Sequence, residues 1–138
     1  MDPTEALMDD LIWGTLVARL RYRCELTQGE LSEHLQVSQP MLSRLERGLI
    51  PMSNVQRHAL DDLFSMTPEL CLESLFSMVK GAAETAAGGA VGSLLPEETW
   101  PQTAWRLGKR EGCAGLALLA VESVLLKLDG QLFQTPQV

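Results

Sequence analysis

Apolar residues recur along most of this chain at intervals of three and four, the spacing of helices that bury one face. Leu11, Ile12, Leu16, Val17 and Leu20 form the first stripe, with Asp9 and Asp10 placed to cap it, so a helix is expected over 11–25. Thr27-Gln28-Gly29-Glu30 then has the reciprocal capping pattern, with Glu three residues after Thr, and predicts a short helix ending at His34 or Leu35. Ser38 caps the next helix, which carries Pro40 in its first turn, where a missing N–H costs nothing. That helix ends near Glu46, and Gly48 stops it. Pro51 marks a turn, and Ser53 caps a fourth helix over 54–64 with Val55, Leu60, Leu63 and Phe64 expected inward. No alternating strand pattern occurs anywhere.

The second half is less regular. Thr67-Pro68-Glu69 opens a fifth helix whose stripe is Leu72, Leu75, Phe76 and Val79. The Gly- and Ala-rich stretch 81–92 reads as a fraying end followed by a flexible link. Residues 94–111 contain Pro96, Trp100, Pro101 and Trp105 and read as irregular, with room for one short helix. A last helix over 112–129 is apolar around most of its circumference and needs cover on nearly all sides. The expected fold class is all-α. Its domains are 1–66, a helical region 67–132 with the link at 81–92, and a loose tail 133–138.

Composition supports helices: 46% of residues are hydrophobic but only 5% aromatic, and aliphatics and Ala dominate. Charge complicates the choice of partner. Residues 1–64 hold six Arg against ten acidic residues, and 65–138 hold five basic against eight acidic, which together give the net −7. Binding to a polyanion must therefore rest on where the basic residues sit. Arg19, Arg21 and Arg23 cluster at one helix end, where they either offset nearby Glu or touch a phosphate backbone. Cys24, Cys71 and Cys113 are too widely spaced for a zinc or redox motif, and His34 and His58 have no ligand-spaced companions, so no metal and no cofactor are expected. No nucleotide loop, nucleophile elbow or His–carboxylate signature points to catalysis. The acidic start is unlike a signal peptide, and the longest apolar run, 113–121, is about half of a membrane span, so a cytoplasmic protein is expected.

Two short capped helices separated by a brief turn are the helix-turn-helix plan. Leu31, Leu35, Val37, Leu42 and Leu45 have the spacing to pack the two helices together, which turns Gln39, Pro40, Ser43, Arg44 and Arg47 outward. Gln can bond an adenine edge bidentately and Arg a guanine edge. The stretch 26–48, LTQGELSEHLQVSQPMLSRLERG, resembles the lambda-repressor-like (Cro/Xre) regulators, and the likeness extends over about residues 10–64. It implies a bundle in which Gln39, Pro40, Ser43 and Arg44 face bases while Thr27, Gln28, Ser38 and Arg47 face phosphates. It also implies that Gln28 braces Gln39. Ser32 stands where the family has a small residue, mostly Ala, and Gln36 where it usually has Gly. If that turn needs a positive φ, Gln costs about 1 kcal/mol. Leu49-Ile50-Pro51-Met52 replaces a segment that is often basic in the family, which predicts fewer phosphate contacts.

The resemblance implies a sequence-specific regulator of double-stranded DNA, most simply a homodimeric repressor on an inverted repeat, found at the nucleoid when bound. Leu118, Val121, Leu125, Leu128 and Leu132 form a stripe suited to dimerisation, widened by Leu116, Leu119, Ala120 and Val124. A cap on the N-terminal bundle is the other use of that stripe. An antitoxin that binds a toxin through its C-terminal half, or an adaptor that uses the helix-turn-helix without DNA, are the alternatives.

Overall fold

The computed structural model describes residues 3–91, 100–129 and 131 of the chain. Among the described residues six helices follow one another: α1 (Pro3–Arg23), α2 (Gln28–Leu35), α3 (Gln39–Glu46), α4 (Asn54–Leu63), α5 (Leu72–Val91) and α6 (Trp100–Lys127). Among the described residues there is no strand.

The short helices form where local chemistry places them. Thr27 and Ser53 each close a capping box, and the Ser38 hydroxyl accepts from the Met41 N–H at 3.2 Å. The longer helices exceed expectation. α1 starts at Pro3, since proline suits a first helical position and Met8 extends the buried stripe backward. α5 continues as helix through 81–91 where a link was expected, because Ala is the best helix former and Ala83 is buried. α6 begins at Trp100, not near residue 112, since Pro101 falls in its first turn and does not interrupt it. α5 begins later than Thr67-Pro68-Glu69. Thr67 Oγ1 accepts from Leu70 N at 3.0 Å to form a turn, and Asp61 of α4 accepts the Leu72 N–H at 2.8 Å. Val55 is 79% exposed and not inward, since it precedes Leu60 by five residues and so lies about 140° round the helix.

One core runs through both halves. Leu16, Val17 and Leu20 of α1 share a buried cluster with Leu72, Leu75 and Val79 of α5 and Ala117, Val121 and Leu125 of α6. α6 lies along both α1 and α5, so the C-terminal hairpin covers the back of the N-terminal bundle. On the other side, α1 supports α3 at very close range. A Cβ on Gly14 would sit 2.2 Å from the Leu45 carbonyl oxygen, so only glycine admits this crossing. Gly48, at φ 72°, turns the chain away directly after α3 and packs on Leu11.

A second tie joins α4, α1 and α5. The Arg57 guanidinium lies 4.4 Å from the Trp13 ring centre, and Trp13 stacks on Phe76 with centroids 4.2 Å apart. Lys80 Nζ approaches the Phe76 ring at 5.8 Å and pairs with Asp9 at 3.0 Å. Two cations thus bracket two stacked rings, each cation attracted by an electron-rich ring face.

Candidate nucleic-acid interface

The turn between α2 and α3 is set by one residue. Gln36 adopts the left-handed conformation (φ 56°, ψ 43°), and its N–H closes the end of α2 on Glu33 and Ser32 carbonyls. Val37 N then donates to Ser32 O at 3.0 Å, so both the carbonyls and the direction of the chain are fixed before Ser38 caps α3. Leu31, Leu42 and Leu45 are buried between the helices. What remains outward on α3 is Gln39, Pro40, Met41, Arg44 and Arg47, with Ser43 half-buried beside them.

The axis of α3 is held by a buried ion pair that spans 25 residues of sequence. Arg21 Nε and Nη2 donate to the two carboxylate oxygens of Glu46 at 2.7 and 3.1 Å, and its Nη1 donates to Leu26 O at 2.9 Å. The fork-to-carboxylate geometry is the directional form of this contact. Gln28 Nε2 donates to the same carboxylate at 2.9 Å, so the start of α2, the end of α1 and the end of α3 meet at one acceptor. The Gln28 amide therefore donates to Glu46, where a brace to Gln39 was expected. Gln39 instead lies over Gly29, where an added Cβ would be 3.9 Å from its Oε1.

The two helix starts differ electrically. At α2 the Glu30 carboxylate accepts from Thr27 N at 3.1 Å, and that backbone bond, with the Thr27 side chain next, holds its carboxyl below the usual carboxylate range. An ionised carboxylate there offsets the positive end of the helix and disfavours a phosphate beside Thr27. At α3 the first turn has no acidic residue, and Ser38 retains a hydroxyl proton to donate. Arg47, whose Nε donates to Ser43 O at 3.3 Å, stands at the other end of the same exposed strip.

The family model described as "Helix-turn-helix domain" matches residues 13–72. Those residues are a helix-turn-helix domain. The match agrees with the lambda-repressor-like pattern of 26–48 and ends at the first residue of α5. A helix-turn-helix domain points to a DNA-binding regulator and is typically not catalytic. No curated protein and no solved structure matches the chain.

The remaining candidates lie outside the α2–α3 surface of the helix-turn-helix domain. Arg19 and Arg23 pair with Glu122, and Arg23 also with Asp129 at 3.7 Å, so two of the three clustered arginines bind α6. The third, Arg21, is the buried partner of Glu46. His34 and His58 are exposed, and among the described residues no group of His, Cys, Asp or Glu is arranged to hold a metal. Burial pushes the Cys24 thiol up. Of the stripe expected to dimerise, Val121 and Leu125 are fully buried in this chain's own core, Leu128 is half-buried and Leu118 is exposed. Leu132 lies outside the described residues. Among the described side chains of α6, the exposed leucines are Leu118, Leu119 and Leu126, the last at 71%. Among the described residues no helix is long and apolar enough to cross a membrane.

The Arg21–Glu46–Gln28 junction is the functional feature that sequence reading passed over. Its signal was present as an Arg and a Glu at otherwise apolar helix positions, but only the packing of α1 on α3 makes them neighbours.

Proposed function

We propose that the chain is a sequence-specific transcriptional regulator that inserts α3 into the major groove, with Gln39, Pro40, Ser43 and Arg44 facing base edges. Ser38 and Arg47 carry most of the backbone contact, with Thr27 and Gln28 contributing less because of Glu30. The observation that carries this reading is the separation of faces on α3. One side is buried, while the exposed side holds the donors and acceptors that read bases, on a helix fixed by the Arg21–Glu46 pair.

One such helix gives modest affinity, and the apolar 49–52 loop adds little charge. A homodimer on an inverted repeat therefore fits best, acting as a repressor by occluding a promoter. The exposed Leu118, Leu119 and Leu126 support a second copy docking at α6. A second reading, an adaptor that binds protein, is favoured by an open apolar groove of about 450 Å³ beside Arg47, lined by Leu11, Tyr22, Leu49 and Leu118.

Fluorescence anisotropy on sites enriched from a random duplex pool tests the first reading, with wild type set against a Gln39→Ala/Arg44→Ala variant across a salt series. Sequence preference lost in the variant is expected, with a shallow salt slope and two chains per site. Equal binding by both proteins, or no enrichment from the pool, overturns it.

A further inference from the structure

We propose that Met41, together with Pro40, reads the 5-methyl group of a thymine in the major groove. The inference rests on the DNA-binding reading and adds to it a residue and a base.

Met41 is 39% exposed, on a helix whose leucines, Leu42 and Leu45, are buried. Pro40 beside it is exposed too, so the first turn of α3 presents Gln39, Pro40 and Met41 to solvent with no charge among them. The arginines begin one turn later. At 100° per residue Pro40 and Met41 lie about 40° and 60° to either side of Arg44, so the two apolar side chains flank its line on the helix surface. Helical side chains lean toward the N-terminus, which carries the Met41 thioether toward the end of α3 that leads into a groove. The position is not slack, because the Met41 N–H is held by the Ser38 hydroxyl at 3.2 Å.

An apolar pair at the tip of a base-reading helix needs an apolar counterpart. The major groove offers one, the thymine 5-methyl, which projects from an edge otherwise made of donors, acceptors and smaller ring C–H groups. The unbranched, polarisable Met side chain adapts to such a methyl, and Pro40 supplies a rigid wall beside it. Gln39, on the other side of Pro40, is placed to take an adenine edge. The half-site is then expected to hold an adenine and a thymine at neighbouring positions.

The test uses the full chain and the duplex enriched from a random pool. Each thymine of the half-site is replaced singly by deoxyuridine, which keeps every hydrogen-bonding group and removes only the methyl. At one thymine, wild type is expected to lose about fourfold in affinity, the equivalent of about 0.8 kcal/mol for one buried methyl-sized group. Met41→Ala should bind thymine and uracil duplexes equally at that position, while Met41→Leu should keep most of the discrimination. Met41 is at the surface, so both variants are expected to fold. The proposal is overturned if wild type binds the enriched site tightly but no single uracil weakens it. It is also overturned if Met41→Ala shows the same uracil penalty as wild type, which would assign the methyl to Pro40 alone. Failure of the pool to enrich any sequence would remove the DNA-binding reading and this inference with it.

Discussion

Replacing Glu46 with Ala should be among the most damaging single truncations in the helix-turn-helix. The Arg21 and Glu46 side chains are 11% and 5% exposed, so solvent screens the pair little. The substitution leaves a buried guanidinium with the Leu26 carbonyl and the Tyr22 ring but no counter-ion, and deprives the Gln28 amide of its acceptor. Breaking one side of such a pair costs about 3–5 kcal/mol, a large share of the 5–15 kcal/mol roughly available to a domain. At a urea slope of about 2 kcal/mol per molar, the midpoint should fall by about 1.5–2.5 M. The double variant Arg21→Met/Glu46→Leu removes both charges and fills the space. It should recover most of the loss, since apolar replacements of buried pairs are often neutral. It should not recover full DNA affinity, because Gln28 and the end of α3 stay unanchored. Urea unfolding of wild type, Arg21→Met, Glu46→Leu and the double closes the cycle. A Glu46→Ala midpoint within 0.5 M of wild type, or a double variant as unstable as the single, would show that the pair does not hold α3 as described.

Three further outcomes are expected. Gly14→Ala should displace α3, because its methyl would meet the Leu45 carbonyl at 2.2 Å; thermal melting should show a loss of several kcal/mol, at the upper end of overpacking costs of about 1–3 kcal/mol or beyond. Gln36→Gly should raise stability by about 1 kcal/mol, since φ 56° strains any residue with a Cβ; a drop in melting temperature would contradict this. Glu30 has a lowered carboxyl pKa in the fold, so its contribution to α2 is complete above the ordinary value of 4.5 and is lost as pH falls through the folded value. In Glu30→Gln, which keeps an acceptor for Thr27 N, hydrogen exchange at that amide should lose this pH dependence.

The legible parts of this fold were those decided within four residues. Thr27 with Glu30, Ser38 with Pro40, and Ser53 with Gln56 each contain their own reason for starting a helix, and α2, α3 and α4 begin where those residues place them. The outward residues of α3 follow from the same periodicity. What sequence could not supply was pairing at long range. Asp61 takes the first N–H of α5 from eleven residues away, and Glu46 takes Arg21 from 25. Neither has a local pattern. The leucines of α6 show the same limit from the other side. A helix apolar all round gives no hint of which stripe faces its own chain, and the structure turns Val121 and Leu125 inward and Leu119 and Leu126 outward.

The shared core of α1, α5 and α6 has a consequence during synthesis. Leu16, Val17 and Leu20 leave the ribosome early, but Ala117, Val121 and Leu125, which bury them, follow about a hundred residues later. At roughly 5–20 residues per second α3 is complete about 4–15 s before α6 has been made. In that interval the apolar face of α1 has no cover from α6. Chaperone binding, or a pause before residue 113, would act on the chain while that face is open.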